Sequence, residues 1–424
     1  MVAADVNTLS RPGIKEDMAS DVTLHQIIRR GARLMEGPGR WFVALDADNL
    51  LAAGRRQAGG DDFEDLTFLE GLYRLVHALA TEARLNLLGR IAAREAIVSH
   101  LANRLRLEQD RRRYPEIAAQ HIHRPIVITG LPRSGSTLLH GLLAQDPANR
   151  VPQTWEMLTP SPPPERGTYE CDPRIAITER HLRWFQWLVP EFKTIHPVGA
   201  RLPEECVVIL SHSFLSSQFC SMYVVPSYQT WVRAQDLRPA YQLHRRFLQQ
   251  LQWRCHGHRW ILKAPAHLPA LRELCAEYPD VGVIMTHREP LEVLASEASL
   301  HTILRQTFSA AVDPNAVGRE VTELTADEIR TGLQARDDRC APPEQFLDVR
   351  YRDLVTDPIG TARSVYAHFD MPFTTIAEAR MRRYLAETPK DKHGPHVYSL
   401  TQFGLDPDEE RERYREYRER FLLN

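Results

Sequence analysis

The stretch that decides the fold is HRPIVITGLPRSGSTLLHGLLAQ, residues 123–145. It contains PIVIT (125–129), a short run rich in β-branched residues that is typical of a buried strand. After a turn that begins at Gly130, STLLHGLLAQ (136–145) places apolar residues at helical spacing. A strand, a loop and a helix in this order predict the start of a βαβ unit.

Three later segments repeat this order. RWILK (259–263) precedes a helical pattern whose start is marked by prolines, and VGVIMT (281–286) precedes a second one. FLDV (346–349) is a further strand candidate, followed by RYRDLVTDP. Because strands alternate with helices, we expect an α/β fold with a P-loop-like three-layer arrangement around a central parallel sheet.

The rest of the chain is predicted to be mostly helical. Residues 21–114 show apolar positions at helical spacing without a strand signal, so residues 1–120 are predicted to form a helical N-terminal region packed on the core. Residues 121–424 would form the α/β domain, with a helical insertion at about 170–255. The run EERERYREYRERF (409–421) is typical of a solvent-exposed helix face.

Composition excludes several classes of protein. A formal net charge of −2 over 424 residues gives no reason to expect nucleic acid or an anionic membrane as partner. No run approaches the roughly 18–20 apolar residues of a membrane span, and the N-terminus has no apolar signal core. The six cysteines are scattered without a C-x-x-C pair, which is typical of reduced thiols. We therefore predict a cytoplasmic protein.

The loop GLPRSGST (130–137) joins the first strand to its helix. A helix start exposes unpaired backbone N–H groups and a positive dipole end, where phosphate or sulfate binds readily. The spacing is similar to the nucleotide-binding motif G-x-x-x-x-G-K-[ST], but Ser136 stands where that motif has lysine. The cation comes earlier, at Arg133. This difference argues against ATP hydrolysis by a P-loop kinase or NTPase, which stays the alternative enzyme class.

LPRSGST (131–137) resembles the 5′-phosphosulfate loop of the PAPS-dependent sulfotransferase superfamily (PAPS, 3′-phosphoadenosine 5′-phosphosulfate). The likeness is to the bacterial sulfotransferase family related to the tyrosylprotein sulfotransferases. It implies sulfuryl transfer from PAPS to a hydroxyl group, release of 3′,5′-ADP, and no metal. The residues that it assigns to donor binding are Arg133, Ser134, Gly135, Ser136 and Thr137.

Two later segments extend the resemblance to the 3′-phosphate of the donor. Relatives in this superfamily bind that phosphate with an arginine at a strand end and a serine eight residues later, which here are Arg288 and Ser296. An arginine fork matches phosphate oxygens. KDKHGPHVY (390–398) resembles the basic loop that closes over the same phosphate, through Lys392 and His396, although these residues could equally be ordinary loop residues.

Sulfuryl transfer needs a cation at the leaving oxygen and a base for the acceptor hydroxyl. The resemblance assigns the cation to Lys263, assisted by Arg133. His267 stands near the place of a catalytic histidine, but two extra residues separate it from the lysine. Glu205 resembles the glutamate of a Gly-Glu-Glu segment, and Glu204 is its neighbour; on a helix the two would point about 100° apart. We favour Glu205 as base, with His267 as orienter or alternative base.

The acceptor is predicted only as a class, a small-molecule or lipid-like hydroxyl compound. Aromatic residues of the insertion are candidates for its pocket, or alternatively for core packing: Trp184, Phe185, Trp187, Phe192, Phe219 and Tyr223. No histidine or cysteine spacing along the chain indicates a metal site. A non-catalytic nucleotide-binding protein with the same fold is the second alternative, and the oligomeric state stays open, with a homodimer among the options.

Overall fold

A five-stranded, all-parallel sheet forms the centre of the protein in a computed structural model that describes residues 28, 31–32, 35, 39–191, 197–255, 257–388 and 398–423. The strand order is β2-β3-β1-β4-β5. The strands are β1 (Ile126–Gly130), β2 (Asn149–Arg150), β3 (Arg259–Lys263), β4 (Gly282–His287) and β5 (Phe346–Arg350). The predicted α/β class with a parallel sheet is confirmed. The short edge strand β2 was not predicted, because two residues carry no periodic signal.

Helices surround this sheet and also form the N-terminal part of the chain. None of the helices in the described ranges is both long and apolar enough to cross a bilayer. The α-helices are α1 (Gly39–Phe42), α2 (Ala47–Ala58), α3 (Leu69–Thr81), α4 (Leu87–Arg113), α5 (Ser136–Leu143), α6 (Thr154–Leu158), α7 (Pro173–Leu188), α8 (Val207–Ser211), α9 (Gln218–Met222), α10 (Pro226–Arg233), α11 (Arg238–Gln252), α12 (Leu271–Glu277), α13 (Pro290–Phe308), α14 (Pro314–Asp337), α15 (Tyr351–Thr356), α16 (Pro358–His368), α17 (Thr375–Glu387), α18 (Pro407–Arg413) and α19 (Arg415–Phe421).

The register of the sheet brings the ends of three strands to one edge. Ile128 pairs with Lys263 of β3, and Gly130 pairs with Thr286 of β4. Every residue of β1 is buried, as expected for a central strand covered on both faces. The loop after Gly130, the side chain of Lys263 and the turn after β4 therefore meet beyond the carboxyl ends of the strands, where open α/β sheets bind their ligands.

The N-terminal helices do not pack only on the sheet domain. Buried side chains of α2, α3 and α4 share one apolar cluster with residues of α8, α9 and α10, among them Leu210, Phe219 and Tyr228. The N-terminal helices thus support the helical insertion from behind. The division of the chain at residue 120 stays a prediction.

The C-terminal run is not wholly solvated, and the prediction of a solvent-exposed face is wrong for one side of it. Glu410, Tyr414, Tyr417 and Phe421 are buried, at 3%, 3%, 6% and 9% exposure. Their spacing of four, three and four residues places them on one face of the last two helices. The phenol of Tyr417 hydrogen-bonds Nδ1 of His287 at 2.8 Å, which ties this segment to the end of β4.

Candidate active site

The loop between β1 and α5 has positive φ angles at two glycines, a backbone conformation that other residues rarely adopt. Gly130 has φ of 123°, and a Cβ there would lie 2.2 Å from the carbonyl oxygen of Thr286. Gly135 has φ of 88° and caps α5 without a side-chain hydrogen bond. Because no cap side chain covers them, the first backbone N–H groups of α5 remain available for an anion.

Ser134 holds this loop in place from below. Its side chain is fully buried, its hydroxyl donates to the carbonyl of Leu131, and it lies 2.6 Å from Oγ1 of Thr286. Thr286 in turn donates to the carbonyl of Thr129 at 3.0 Å. Any contact of Ser134 with a donor molecule is therefore left to its backbone N–H, whereas its side chain fixes the loop to β4.

The two segments that were expected to share the donor touch each other. Arg133 donates from Nε to Oγ of Ser296 at 3.2 Å, and Arg288 donates from Nη1 to the carbonyl of Arg133 at 2.8 Å. Arg288 also donates from Nε to Glu292 at 2.8 Å, and its guanidinium lies 4.2 Å from the centre of the Tyr351 ring. The guanidinium is thereby oriented by an acid and an aromatic face.

A buried ion pair stands beside the loop. Nζ of Lys263 contacts the carboxylate of Glu205 and donates to Oγ1 of Thr137 at 3.2 Å. The lysine side chain is 2% exposed, and the glutamate side chain is 18% exposed. The fold thus connects the predicted cation, the preferred base and the end of the loop directly.

Glu204 faces away from this pair. Its Oε1 accepts from the backbone N–H of Glu205 at 2.9 Å, and its Oε2 accepts from Oγ1 of Thr154 at 3.2 Å. The expectation that the two acids share a helix is wrong, because α8 begins only at Val207. Glu204 and Glu205 lie in the irregular segment before α8, and of the two only Glu205 lines the cavity described below.

His267 lies inside the protein rather than in the site. The turn Pro265–His267 directs its ring into the core, where it is fully buried, and Nδ1 lies 2.8 Å from the hydroxyl of Tyr241. Burial, with a smaller contribution from His244, holds the pKa of His267 well below its usual value. Among the described residues, Tyr241 and Ala266 line the cavity and His267 does not. This position does not fit a base that contacts the acceptor.

Three potential metal ligands meet next to this buried histidine, although no spacing along the chain indicated them. The ligand atoms of Cys206, His244 and His267 all lie within 4.8 Å of one another. All three side chains are fully buried.

One large cavity of about 1260 Å³ opens above the loop and the Lys263–Glu205 pair. It exceeds the roughly 300–1000 Å³ of a typical small-ligand pocket, so it has room for two substrates. Its polar wall, which is the predicted donor wall, contains Arg133, Gly135, Ser136, Thr137, Lys263 and Arg288. Its apolar wall comes from the insertion and from α13 and α14, and includes Leu202, Leu215, Val232, Leu237, Leu300, Val321 and Leu324.

The aromatic residues considered for this wall lie elsewhere. Phe219 and Tyr223 are buried in the cluster behind the insertion, because large rings contribute most when fully packed. Trp184 is 56% exposed. None of the five described candidates is among the residues that line the cavity. Phe192 lies outside the described residues, as do Lys392 and His396.

Comparison with known proteins indicates the same family as the loop motif does. Residues 125–375 match the model of the Sulfotransferase family, more than half of the chain. The chain belongs to the sulfotransferase family. The omega-hydroxy-beta-dihydromenaquinone-9 sulfotransferase Stf3 of Mycobacterium bovis is 27% identical over 296 residues, which are 65% of this chain and 70% of the relative.

Two crystal structures of mycobacterial sulfotransferases share the fold. STF1 from Mycobacterium tuberculosis H37Rv is 33% identical, with a TM-score of 0.78 over 87% of this chain and 97% of that one. STF9 from Mycobacterium avium is 27% identical, with a TM-score of 0.82 over 89% of this chain and 97% of that one. The likeness extends well beyond the donor loop, through most of this sulfotransferase.

The cavity of this sulfotransferase also contains acidic residues that sequence reasoning missed. Glu297 and Glu328 line it together with His301. Burial, reinforced by neighbouring carboxylates, raises the pKa of Glu297 to about 8, and burial raises the pKa of Glu328 to about 7. A sequence signal existed, since Glu297 and His301 are ionisable residues four apart in VLASEASLHTIL (293–304), whose other members are apolar or small hydroxyl residues.

Tyr351 is a second residue whose place in the site was missed. YRDLVTDP (351–358) was not predicted to contribute to the site, yet Tyr351 lines the cavity beneath the guanidinium of Arg288. A Cβ on Gly135 would come within 3.0 Å of its ring. The ring therefore packs against both the loop and the arginine that were expected to bind the donor.

Proposed function

We propose that this sulfotransferase transfers a sulfuryl group from PAPS to the hydroxyl of an apolar, lipid-like acceptor and releases 3′,5′-ADP. One observation carries the proposal: Lys263 contacts both Thr137 of the anion-binding loop and Glu205 within a single cavity. That contact joins the group suited to the leaving oxygen to the group suited to the attacking hydroxyl.

The donor fits the wall that contains the loop. The backbone N–H groups at the start of α5 and the hydroxyls of Ser136 and Thr137 offer donors to the 5′-phosphosulfate. Arg288, oriented by Glu292 and Tyr351, offers a charged hydrogen-bond donor to the 3′-phosphate, and Ser296 holds Arg133 beside it. Lys392 and His396 stay predicted additions to this subsite.

The chemistry assigned to the pair is an in-line displacement. Glu205 takes the proton of the acceptor hydroxyl as its oxygen forms the new S–O bond. The bond between sulfur and the phosphate oxygen breaks, and its electron pair stays on that oxygen, next to which Lys263 supplies positive charge. Catalysis on this account rests on positioning and on electrostatic stabilisation of the leaving group.

The proposed class of acceptor is inferred from the apolar wall of the cavity. Aliphatic side chains from the insertion and from α13 and α14 provide much of the surface that faces the loop. The name of the relative Stf3 specifies an omega-hydroxy derivative of a dihydromenaquinone. An acceptor of the same kind, with an apolar body and one hydroxyl near Glu205, fits this wall.

The proposal is tested by incubating the purified protein with PAPS and single acceptors: a hydroxylated isoprenoid, a sterol, a phenol and a sugar. We expect 3′,5′-ADP and the sulfate ester in equal amounts, with the highest kcat/KM for the hydroxylated isoprenoid. ATP with Mg²⁺ serves as the control and should give no acceptor-dependent turnover. Acceptor-dependent ATP turnover would instead favour the kinase alternative, and no sulfated product with any acceptor would contradict the proposal.

A further inference from the structure

A cluster of three potential metal ligands lies behind the part of the cavity wall that holds Glu205 and Lys263. Cys206, His244 and His267 come from three different elements: the turn before α8, the helix α11 and the turn after β3. Each side chain is fully buried, and the ligand atoms lie within 4.8 Å of one another. None of the three lines the cavity in the described part of the chain, so the sulfuryl-transfer chemistry leaves this cluster without a role.

Both imidazoles have an outer hydrogen bond of the kind that metal-bound histidines have. Nδ1 of His244 lies 2.8 Å from the hydroxyl of Tyr278, and Nδ1 of His267 lies 2.8 Å from the hydroxyl of Tyr241. When Nδ1–H donates to the tyrosine oxygen, the lone pair of Nε2 points away from that partner, as in metal-bound histidines with an outer hydrogen bond.

The second nitrogen of each ring provides a separate observation that points to a bound ion. Nε2 of His244 and Nε2 of His267 are both buried and have no hydrogen-bond partner among the described residues. A buried polar atom without a partner is costly, and two such atoms beside one thiol are unusual in a native core. One ion bound to both nitrogens and to the sulfur would satisfy all three groups at once.

We propose that Cys206, His244 and His267 bind one soft transition-metal ion, for which Zn²⁺ is the probe. Two imidazoles and a thiolate are the donors that such ions prefer. Zn–N bonds of about 2.0–2.1 Å and Zn–S bonds of about 2.3 Å place tetrahedral ligand atoms roughly 3.3–3.6 Å apart, so the side chains would have to close by no more than about 1.5 Å from the 4.8 Å limit. Binding releases the thiol proton to solvent as the metal–sulfur bond forms.

At this position the proposed ion would stabilise the segments around the Lys263–Glu205 pair. Cys206 follows Glu205, and its backbone N–H donates to the carbonyl of Lys263 at 2.8 Å. His267 lies four residues after that lysine, and His244 belongs to the helix that brings Tyr241 to the cavity wall. An ion at this point would fasten together the three segments that position the ion pair.

The experiment measures metal directly and does not depend on sulfuryl transfer. Tag-free protein is produced in defined medium with Zn²⁺ or with Co²⁺, and its metal content and absorption spectrum are recorded. We expect one equivalent of metal per chain and, for cobalt, a thiolate-to-cobalt charge-transfer band. Cys206→Ser should lose the band, and His244→Gln should lose the bound metal. Cys255→Ser, a buried thiol outside the cluster, should keep both.

The metal content and the cobalt spectrum of the wild-type protein test the proposed metal site even if a cluster variant fails to fold. Stoichiometric cobalt with a thiolate band supports the site, as does a zinc-dependent rise in unfolding temperature that Cys255→Ser retains. Wild-type protein without stoichiometric metal from either medium would overturn the proposal. So would cobalt binding without the thiolate band, or a band that persists in Cys206→Ser.

Discussion

The two walls of the cavity are built in different ways. The donor wall is polar and comes largely from one loop, anchored from beneath by Ser134 and Thr286 and joined to Arg288 through the carbonyl of Arg133. The apolar wall comes from short helices of the insertion and from α13 and α14, and the insertion is supported from behind by the N-terminal helices. On the proposed function, recognition of the donor would depend on a local backbone shape, and recognition of the acceptor would depend on packing between distant segments.

The largest effect is expected where the walls meet. Glu205→Gln keeps the shape of the side chain but removes its ability to take a proton, so kcat should fall by about 10²–10⁴-fold with little change in KM for PAPS. Steady-state kinetics with one acceptor measure this. Glu204→Gln is the matched control, because Glu204 bonds Thr154 and the backbone of residue 205 instead of facing the cavity. Equal losses in both variants would contradict the assignment of the base.

Lys263→Met should lower kcat by about 10²–10³-fold, since it removes the charge beside the leaving oxygen. The variant also leaves Glu205 without its buried partner, which itself destabilises the fold. The double variant Lys263→Met with Glu205→Gln removes both charges and serves as the folding control. If folded Lys263→Met kept more than a tenth of the wild-type kcat, the lysine would not have the proposed role.

A smaller effect, confined to the donor wall, is expected for Arg288→Ala. Loss of a charged hydrogen bond costs about 1.5–3 kcal/mol, so KM for PAPS should rise by roughly 10–150-fold with a smaller change in kcat. Arg272→Ala is the control, because Arg272 pairs with Asp338 on the surface, away from the cavity. An Arg288→Ala enzyme that binds PAPS normally but turns over slowly would reverse the roles of Arg288 and Lys263.

A substitution in the apolar wall should change KM for the acceptor and leave KM for PAPS as it is. Leu324→Asn places a polar group against the acceptor, so KM for an isoprenoid alcohol should rise by about tenfold, while KM for PAPS stays unchanged. Ile376→Asn is the control, since Ile376 is 60% exposed and does not line the cavity. Parallel changes in both KM values would show that the two walls are not separate recognition surfaces.

The smallest effect is expected on the pH dependence of protein stability, through Glu297 in the cavity. The pKa of Glu297 is raised to about 8. The folded protein therefore holds a proton that the unfolded chain releases above its ordinary pKa near 4.5, and stability falls as the pH rises from there through 8. Glu297→Gln should flatten the dependence of the urea midpoint between pH 6 and about 9. A slope identical to that of Glu323→Gln, the control, would contradict this.

The sequence was sufficient to predict that the residues of the donor wall lie together, because they are contiguous or follow strand ends, whereas their binding of PAPS stays a prediction. A loop of eight residues carries its own conformational signals, and parallel strands bring Lys263 and Arg288 to the same edge. The four longer strands were predicted within one residue at each end for the same reason, since buried β-branched runs are short and distinct. The contact between Lys263 and Glu205 joins residues 58 positions apart, and only the folded chain reveals it.

The failures have physical causes. His267 stands in the sequence where a site residue would, but one short turn rotates its ring into the core toward Tyr241. For Phe219 and Tyr223 the sequence left a pocket wall and core packing open, and the structure shows core packing in the cluster behind the insertion. The cluster of Cys206, His244 and His267 has no local spacing at all, because its members come from three elements.

The central claim is tested most directly by titrating the purified protein with 3′,5′-ADP in a calorimeter, alongside ATP with Mg²⁺. We predict saturable binding of one 3′,5′-ADP per chain, weakened by Arg288→Ala, with much weaker binding of ATP, because ATP lacks the 3′-phosphate. If the wild-type protein bound ATP and showed no affinity for 3′,5′-ADP, the assignment of the loop and of Arg288 to PAPS would be wrong.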